Sequence, residues 1–126
     1  MGSFLRIAPL VLGVAGGAGL VGVGVAALAS PRLLARLYGL PVAEPNALGF
    51  VRACGLRDLA LGGVLLAVAA SGERRAMLFV AVSCLLLSAC DFLVVWTASG
   101  RRLRPEHLFH LGGFVACAAL IALLLA

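Results

Sequence analysis

Six ionisable side chains lie inside or at the ends of long apolar segments of this chain, where charge is costly. Arg57 and Asp58 are neighbours near the middle of the apolar segment at residues 47–70, and Asp91 lies within another such segment. A charged group in the hydrocarbon of a bilayer costs about 2.5–3.5 kcal/mol on insertion scales, so such groups usually face a partner or a water-filled cavity. The sequence therefore predicts a polar site inside a membrane.

These residue types suit acid–base chemistry on a lipophilic substrate. In a low-dielectric site the pKa values of two carboxylates can be pushed apart, so that one acts as an acid and the other as a base. The predicted catalytic residues are Asp58, Asp91 and His110. The predicted substrate-binding residues, which are polar side chains in or beside the same segments, are Arg52, Arg57, His107, Asn46 and Ser88. Isomerisation, cyclisation or epoxide opening requires no cofactor, and we expect neither a cofactor nor a metal.

Composition predicts the elements that hold these residues. The 126 residues are 63% hydrophobic and only 12% charged, whereas a soluble domain is about 25% charged. Four apolar runs are each long enough to cross a hydrocarbon core of about 30 Å as a helix. They lie at residues 7–29, 47–70, 76–98 and 107–125. The chain is therefore predicted to be all-α, with one integral membrane domain over residues 1–126 that forms a four-helix transmembrane bundle.

A short interfacial helix is predicted between spans one and two. Ser30 followed by Pro31 is typical of a helix start, and Gly39 is typical of a helix end. The helix should present one apolar face made of Leu33, Leu34, Leu37 and Tyr38. We expect Tyr38 to lie near the lipid headgroups.

Helical spacing places the polar groups on the inner faces of three spans. Asp58 belongs to a small-residue stripe of span two, made of Gly55, Asp58, Gly62 and Ala69. The stripes of spans three and four are Ala81, Cys84, Ser88 and Asp91, and His107, His110, Phe114 and Cys117. Because loops one and three share one face of the membrane, the ionisable groups should meet in one leaflet as a polar pocket. Two alternative salt bridges fit this spacing, Arg57 with Asp91 and Arg52 with Asp58.

Span one is rich in glycine and has no polar side chain within it. Gly13-x-x-x-Gly17 and Ala18-x-x-x-Gly22-x-x-x-Ala26 are ridges of small residues that let helix backbones approach closely. We therefore expect this span to pack against a neighbour, either within the chain or in a homo-oligomer.

The distribution of arginine predicts how the chain is oriented. Loops one and three contain five arginines, against three on the opposite face: Arg32, Arg36, Arg101, Arg102 and Arg104 against Arg6, Arg74 and Arg75. This asymmetry favours loops one and three in the cytoplasm, and we expect the inner (plasma) membrane of a bacterium. No basic run is interleaved with exposed aromatic residues, so nucleic-acid binding is not expected.

A segment of span two resembles the signature of a known family. The segment from Arg52 to Gly62 reads Arg-Ala-Cys-Gly-Leu-Arg-Asp-Leu-Ala-Leu-Gly, and it is preceded by Leu-Tyr-Gly-Leu-Pro at residues 37–41. It is similar to that of an uncharacterised family of small four-span membrane proteins, which is grouped under a domain-of-unknown-function label and is loosely DoxX-like. The resemblance implies a four-helix membrane bundle and no established reaction.

Three functions are open on this basis. The first is a pocket that binds a lipophilic small molecule and converts it by cofactor-free acid–base chemistry. The second is a structural or accessory membrane subunit whose ion pairs fix helix packing. The third is a small proton-coupled transporter subunit, since intramembrane aspartate and histidine can form proton relays.

Overall fold

The computed structural model describes residues 2–42 and 44–126, with side chains from residue 7 onward. Within these ranges the chain forms five helices and no strand, in the order α1 (Gly2–Ala29), α2 (Pro31–Leu37), α3 (Pro45–Ser71), α4 (Arg74–Ala98) and α5 (His107–Leu125). The all-α fold and the short helix between spans one and two are therefore confirmed. The side chain of Arg6, which entered the orientation argument, lies outside the described residues.

Four of these helices are long and apolar enough to cross a bilayer: Ile7–Ala29, Pro45–Ser71, Arg74–Ala98 and His107–Leu125. Only 17% to 28% of their most apolar windows is buried inside the protein, and Phe50 and Phe79 are 76% and 74% exposed. Soluble monomers rarely expose contiguous apolar surface on this scale, whereas acyl chains cover it in a bilayer. The protein is therefore an integral membrane protein.

The connection between α3 and α4 is shorter than the sequence indicated. The two helices extend toward each other until only Gly72 and Glu73 separate them. Gly72 ends α3 with φ +72, in the left-handed region, which glycine adopts without steric cost. The result is a tight antiparallel hairpin.

Helix α2 ends in a Schellman motif, which fixes the direction of the chain at Tyr38. The N–H of Leu40 donates to the carbonyl of Ala35, and the N–H of Gly39 donates to that of Arg36, both at 3.0 Å. Gly39 has φ +80, as this motif requires. The predicted end of the helix at this glycine agrees with the structure.

The predicted apolar face of α2 is divided between the protein interior and the protein surface. Leu33 and Leu37 are 57% and 50% exposed, while Pro31, Leu34 and Ala35 are buried. Helix α2 follows α1 after a single residue and packs against both α1 and α3. The small side chain of Ala35 permits this close approach, and the leucines on the other face are left to the lipid.

Helices α1 and α3 approach so closely that their contact requires glycine. A Cβ atom on Gly62 would lie 2.7 Å from the carbonyl oxygen of Gly17, and one on Gly24 would lie 2.6 Å from that of Gly55. Real Cβ atoms do not reach such distances, so this backbone-to-backbone packing depends on the absence of side chains. The ridge of span one that contains Gly17 therefore packs within the chain.

The second ridge of span one is not packed in this way. Ala18 and Gly22 are exposed, and a Cβ atom on Gly22 would have no neighbour within 4 Å among the described residues. The expected homo-oligomer through span one stays a prediction.

The other close pair is α4 with α5, and the two pairs meet in an apolar core near the α3–α4 turn. The buried residues of this core are Leu65, Ala69, Met77, Ala81, Leu120 and Leu124. Nearby, Nη2 of Arg74 donates to the carbonyl oxygens of Leu123 at 3.2 Å and Leu124 at 3.0 Å, which satisfies the end of α5. Contacts between the two pairs are otherwise sparse, and a cavity lies between them.

Candidate functional site: a cavity with one polar end

A cavity of about 340 Å³ lies between the α1–α3 pair and the α4–α5 pair. Its volume falls within the range of about 300–1,000 Å³ that is typical of small-molecule sites. Much of its wall is made of apolar or small residues, among them Leu12, Gly16, Leu65, Leu87, Gly113 and Leu120. The polar side chains that line it are Tyr38, Asp58, Ser88, Asp91 and His110. Four of these five, all except Tyr38, are site residues predicted from the sequence.

Asp58 is the buried centre of the polar end, and both oxygens of its carboxylate accept hydrogen bonds. Oδ1 accepts hydrogen bonds from Nε and Nη2 of Arg57 at 3.0 Å and 2.9 Å, and Oδ2 accepts one from the hydroxyl of Tyr38 at 3.0 Å. Asp58 is only 3% exposed. A buried charge is tolerated when it is paired and hydrogen-bonded, and both conditions are met here.

Arg57 connects α3 to α4. Its Nη2 donates to Oδ2 of Asp91 at 3.2 Å, so the predicted Arg57–Asp91 salt bridge is confirmed. The same guanidinium folds back onto Asp58, although adjacent helical residues point about 100° apart. Two carboxylates therefore share one guanidinium. Oδ1 of Asp91 accepts no hydrogen bond from the described residues, and the Asp91 side chain is 33% exposed.

Tyr38 is the site residue that the sequence analysis placed elsewhere. It was expected near the headgroups, but its hydroxyl reaches Asp58 at the middle of α3. Burial, and next the negative charge of Asp58, raise the pKa of Tyr38 well above its ordinary value, so the phenol stays protonated and donates. The one sequence signal for this role was the place of Tyr38 in the short segment, residues 37–41, that contributed to the family resemblance.

His110 contacts Tyr38 from α5. Its Nε2 lies 3.2 Å from the backbone carbonyl oxygen of Tyr38, and because a carbonyl oxygen only accepts, Nε2 carries the proton and donates. The imidazole also lies against the rings of Tyr38 and Phe109, with centroid separations of 5.3 Å and 5.8 Å. In the neutral ring this arrangement leaves Nδ1 as an acceptor.

The small-residue stripes explain how these groups come together. The span-two stripe is buried along its whole length, and Ala81, Cys84, Ser88 and Asp91 of α4 all line the cavity. The stripe of span four needs one correction, because Phe114 is 38% exposed. Gly113 takes the inner position instead, and a Cβ atom there would lie 3.1 Å from Oγ of Ser88.

Two predicted residues lie away from the cavity on α3. Arg52 and Asn46 are exposed, and neither lines the cavity. The predicted Arg52–Asp58 salt bridge is wrong, because Asp58 is occupied by Arg57 and Tyr38 and because six residues of helix rotate Arg52 about 120° away from Asp58.

His107 is buried, but its side chain hydrogen-bonds to the backbone of the third loop. Its Nδ1 lies 3.0 Å from the backbone nitrogen and 3.1 Å from the backbone oxygen of Arg104, and its ring packs edge-on to Phe92. It does not line the cavity. Nε2 of His107 has no hydrogen-bond partner among the described residues.

No group of three or more His, Cys, Asp or Glu side chains that could hold a metal ion occurs among the described residues. The expectations of no metal and no cofactor stay predictions. The described geometry offers hydrogen bonding and acid–base chemistry at the polar end and apolar contact elsewhere.

Comparison with known proteins identifies the family. Residues 17–124 match the family described as Domain of unknown function (DUF4267), and the chain belongs to that family. Membership of a domain-of-unknown-function family is thereby confirmed, while the Arg52–Gly62 segment as its signature and the likeness to DoxX-like proteins stay predictions. No curated protein and no solved structure matches the chain. Function must therefore be argued from the site.

Proposed function

We propose that this protein binds a lipophilic small molecule in the cavity between its two helix pairs, with the polar end of that molecule at Asp91. The observation that carries the proposal is a cavity of about 340 Å³ whose apolar wall ends at a partly exposed carboxylate with one unpaired oxygen. Small-molecule sites are typically apolar with a few placed polar groups that fix orientation. The cavity combines both features.

The contacts also divide the roles of the two aspartates. All the hydrogen bonds of Asp58 go to Arg57 and Tyr38, so its role is to hold those side chains in position. Asp91 has the free oxygen and the exposure needed to contact a ligand. If the bound molecule is converted by acid–base chemistry, Asp91 is the residue that exchanges the proton, with His110 on the neighbouring helix α5 as its partner.

A structural function is the second candidate, and the burial of Asp58 favours it. A network in which Arg57 joins Asp58 to Asp91, and Tyr38 joins Asp58 to loop one, fixes the register of α3 against its neighbours whether or not a ligand binds. The two candidates differ in what happens when the cavity is filled without disturbing the network.

Photolabelling distinguishes them. Dodecanol with a diazirine at the end of its chain is incorporated with the protein into lipid nanodiscs. The nanodiscs are irradiated, and the labelled peptides are mapped by mass spectrometry. The proposal expects labels on cavity-wall residues such as Leu12 and Leu120, in addition to lipid-facing residues such as Phe79, which serve as an internal standard. Labelling confined to lipid-facing residues would leave the structural function.

The variant Gly16→Leu supplies the matched test. A Cβ atom on Gly16 makes an ordinary 3.6 Å contact with Leu65, another cavity-wall residue, so a leucine there extends into the cavity. Gly63→Leu adds the same side chain where a Cβ atom meets nothing within 4 Å. Cavity labelling should disappear in the first variant and persist in the second.

We also propose that loops one and three face the cytoplasm. The two loops meet on one face, since a Cβ atom on Gly39 would lie 3.1 Å from Cβ of Glu106, and the arginines of both are exposed. A positive cytoplasmic face is the usual arrangement. A C-terminal reporter that is active only outside the cytoplasm should be active; a reporter active only inside would reverse the orientation.

A further inference from the structure

We infer that the ligand of this cavity carries a protonated amine as its polar group. The inference rests on the proposed function, because it names the class of molecule that the same cavity takes. It follows from which hydrogen-bonding atoms are already used at the polar end and from the charge that is left over.

The phenol and imidazole donors at the polar end are already engaged. The hydroxyl of Tyr38 donates to Asp58, and Nε2 of His110 donates to the carbonyl of Tyr38. Arg57, which directs Nε and Nη2 at the two carboxylates, does not line the cavity. What remains for a ligand is Oδ1 of Asp91, the lone pairs of the Tyr38 oxygen and Nδ1 of His110, all of which are acceptors. Among the described residues that line the cavity, the donors left are the hydroxyl of Ser88, which can also accept, and the weakly donating thiols of Cys84 and Cys117.

The charge at the polar end points the same way. Arg57 contributes one positive charge, while Asp58 and Asp91 contribute two negative charges, and His110 is counted as neutral. One carboxylate charge is therefore uncompensated, beside an apolar wall in which it is poorly screened. A carboxylate or phosphate headgroup would add a like charge and would find no free arginine, since Arg52 lies on the exposed face of α3. An ammonium group supplies both the missing charge and N–H donors.

The rest of the cavity requires that the amine be lipophilic. Beyond the polar residues, the wall continues through Leu87 and Leu65 to Leu120, which belongs to the apolar core. A small hydrophilic ammonium ion would leave this wall without contacts. A primary or secondary amine with an alkyl or terpenoid body satisfies both ends.

The experiment compares three photoprobes that differ only at the headgroup: dodecylamine, dodecanol and dodecanoate, each with a diazirine at the end of the chain. Labelling of cavity-wall peptides is normalised to labelling of lipid-facing peptides in the same sample, which corrects for partition into the bilayer. We expect the amine to label the cavity about tenfold more than the carboxylate, with the alcohol between them. The reason is that one poorly screened negative charge attracts an ammonium group and repels a carboxylate.

The outcomes separate this inference from the proposed function. If the alcohol labels the cavity but the carboxylate labels it as well as the amine does, the ligand is not an amine and the binding function stands. If none of the three labels the cavity, both the binding function and the inference are overturned. The ranking is measured on the wild-type chain, so it does not depend on a variant that folds.

Two substitutions at Asp91 then test whether this carboxylate causes the preference for the amine probe. Asp91→Asn removes the uncompensated charge and keeps the size of the side chain, so the alcohol should still label the cavity while the amine loses its advantage. Asp91→Glu retains the charge and should retain the preference. Ser83→Ala, on the exposed face of α4, is the control. An amine preference that survives Asp91→Asn would overturn the assignment to this carboxylate.

Discussion

Glycine has opposite effects in the two regions where the helices of this protein meet. At the contact between α1 and α3, Gly24 and Gly62 bring backbone against backbone and leave no free volume. Between the two helix pairs, Gly16 and Gly113 lie on the wall of a cavity. The first region behaves as a closed core and the second as a binding site.

The difference lies in what faces each glycine. Across the α1–α3 contact the partner is another small residue, as with Gly62 opposite Gly17, so the two backbones approach until they touch. Gly16 and Gly113 instead lie beside side chains, those of Leu65 and Ser88, and the cleft is bridged by the side chain of Arg57, which joins α3 to Asp91 of α4. Side chains rather than backbone therefore separate the helices in this region, and a space stays open between the two pairs.

The largest expected effect is the loss of the α1–α3 contact. In Gly62→Leu the new side chain meets the carbonyl of Gly17 and the backbone nitrogen of Val21 at under 3 Å, and neither can move aside. We expect destabilisation of at least about 3 kcal/mol, measured as the free energy of unfolding in an SDS titration. Gly63→Leu, one residue further along α3, should unfold like the wild type. Equal stability of both variants would contradict the close packing of α1 and α3.

Breaking the polar network should have the next largest effect. Asp58→Leu removes both acceptor oxygens, Oδ1 and Oδ2, which leaves the Tyr38 hydroxyl without an acceptor and Arg57 with Asp91 alone. A loss of about 2–3 kcal/mol is expected from leaving these donors without an acceptor, against about 1 kcal/mol for Tyr38→Phe. The two losses should not add in the double variant, because the phenylalanine no longer has an unsatisfied hydroxyl. Strict additivity would show that the two side chains do not interact.

Filling the cleft should change binding much more than stability. Gly16→Leu places apolar volume against Leu65 at ordinary contact distance, so its free energy of unfolding should stay within about 1 kcal/mol of the wild type, since filling a void costs little where no atom must move. Cavity labelling by the dodecanol probe should nevertheless fall to background. A large loss of stability would mean that the cleft is as tightly packed as the α1–α3 contact.

The smallest effect concerns the ionisation of Tyr38, the only tyrosine in the chain. Burial and the Asp58 carboxylate raise its pKa above the ordinary value of 10.0, so the folded protein holds the phenolic proton more tightly than the unfolded chain does. The associated stability is complete below about pH 10 and is lost as the pH rises toward the folded pKa. An absorbance titration at the phenolate band should show no ionisation near pH 10 in the folded protein. Titration at the ordinary pKa would place Tyr38 in water.

The sequence predicted the spans and the stripes because both depend on local patterns. The apolar runs located the four long helices, and the spacing of Gly55, Asp58 and Gly62 identified the inner face of α3. The position of Tyr38 was not predictable in the same way, because it depends on how the turn at Gly39 packs against α3. The pairing of Arg57 with both aspartates depends on the reach of a flexible side chain, which helical angles do not specify. The same packing leaves Arg52 out of the site, because its face of α3 lies outside the bundle.

A structure of the protein determined in lipid with dodecylamine present tests the central claim most directly. The account predicts elongated density that fills the cleft between the two helix pairs, with the amine nitrogen within hydrogen-bond distance of Oδ1 of Asp91. A cleft closed by the chain's own side chains, with Arg57 turned into the space beside Asp91, would contradict it.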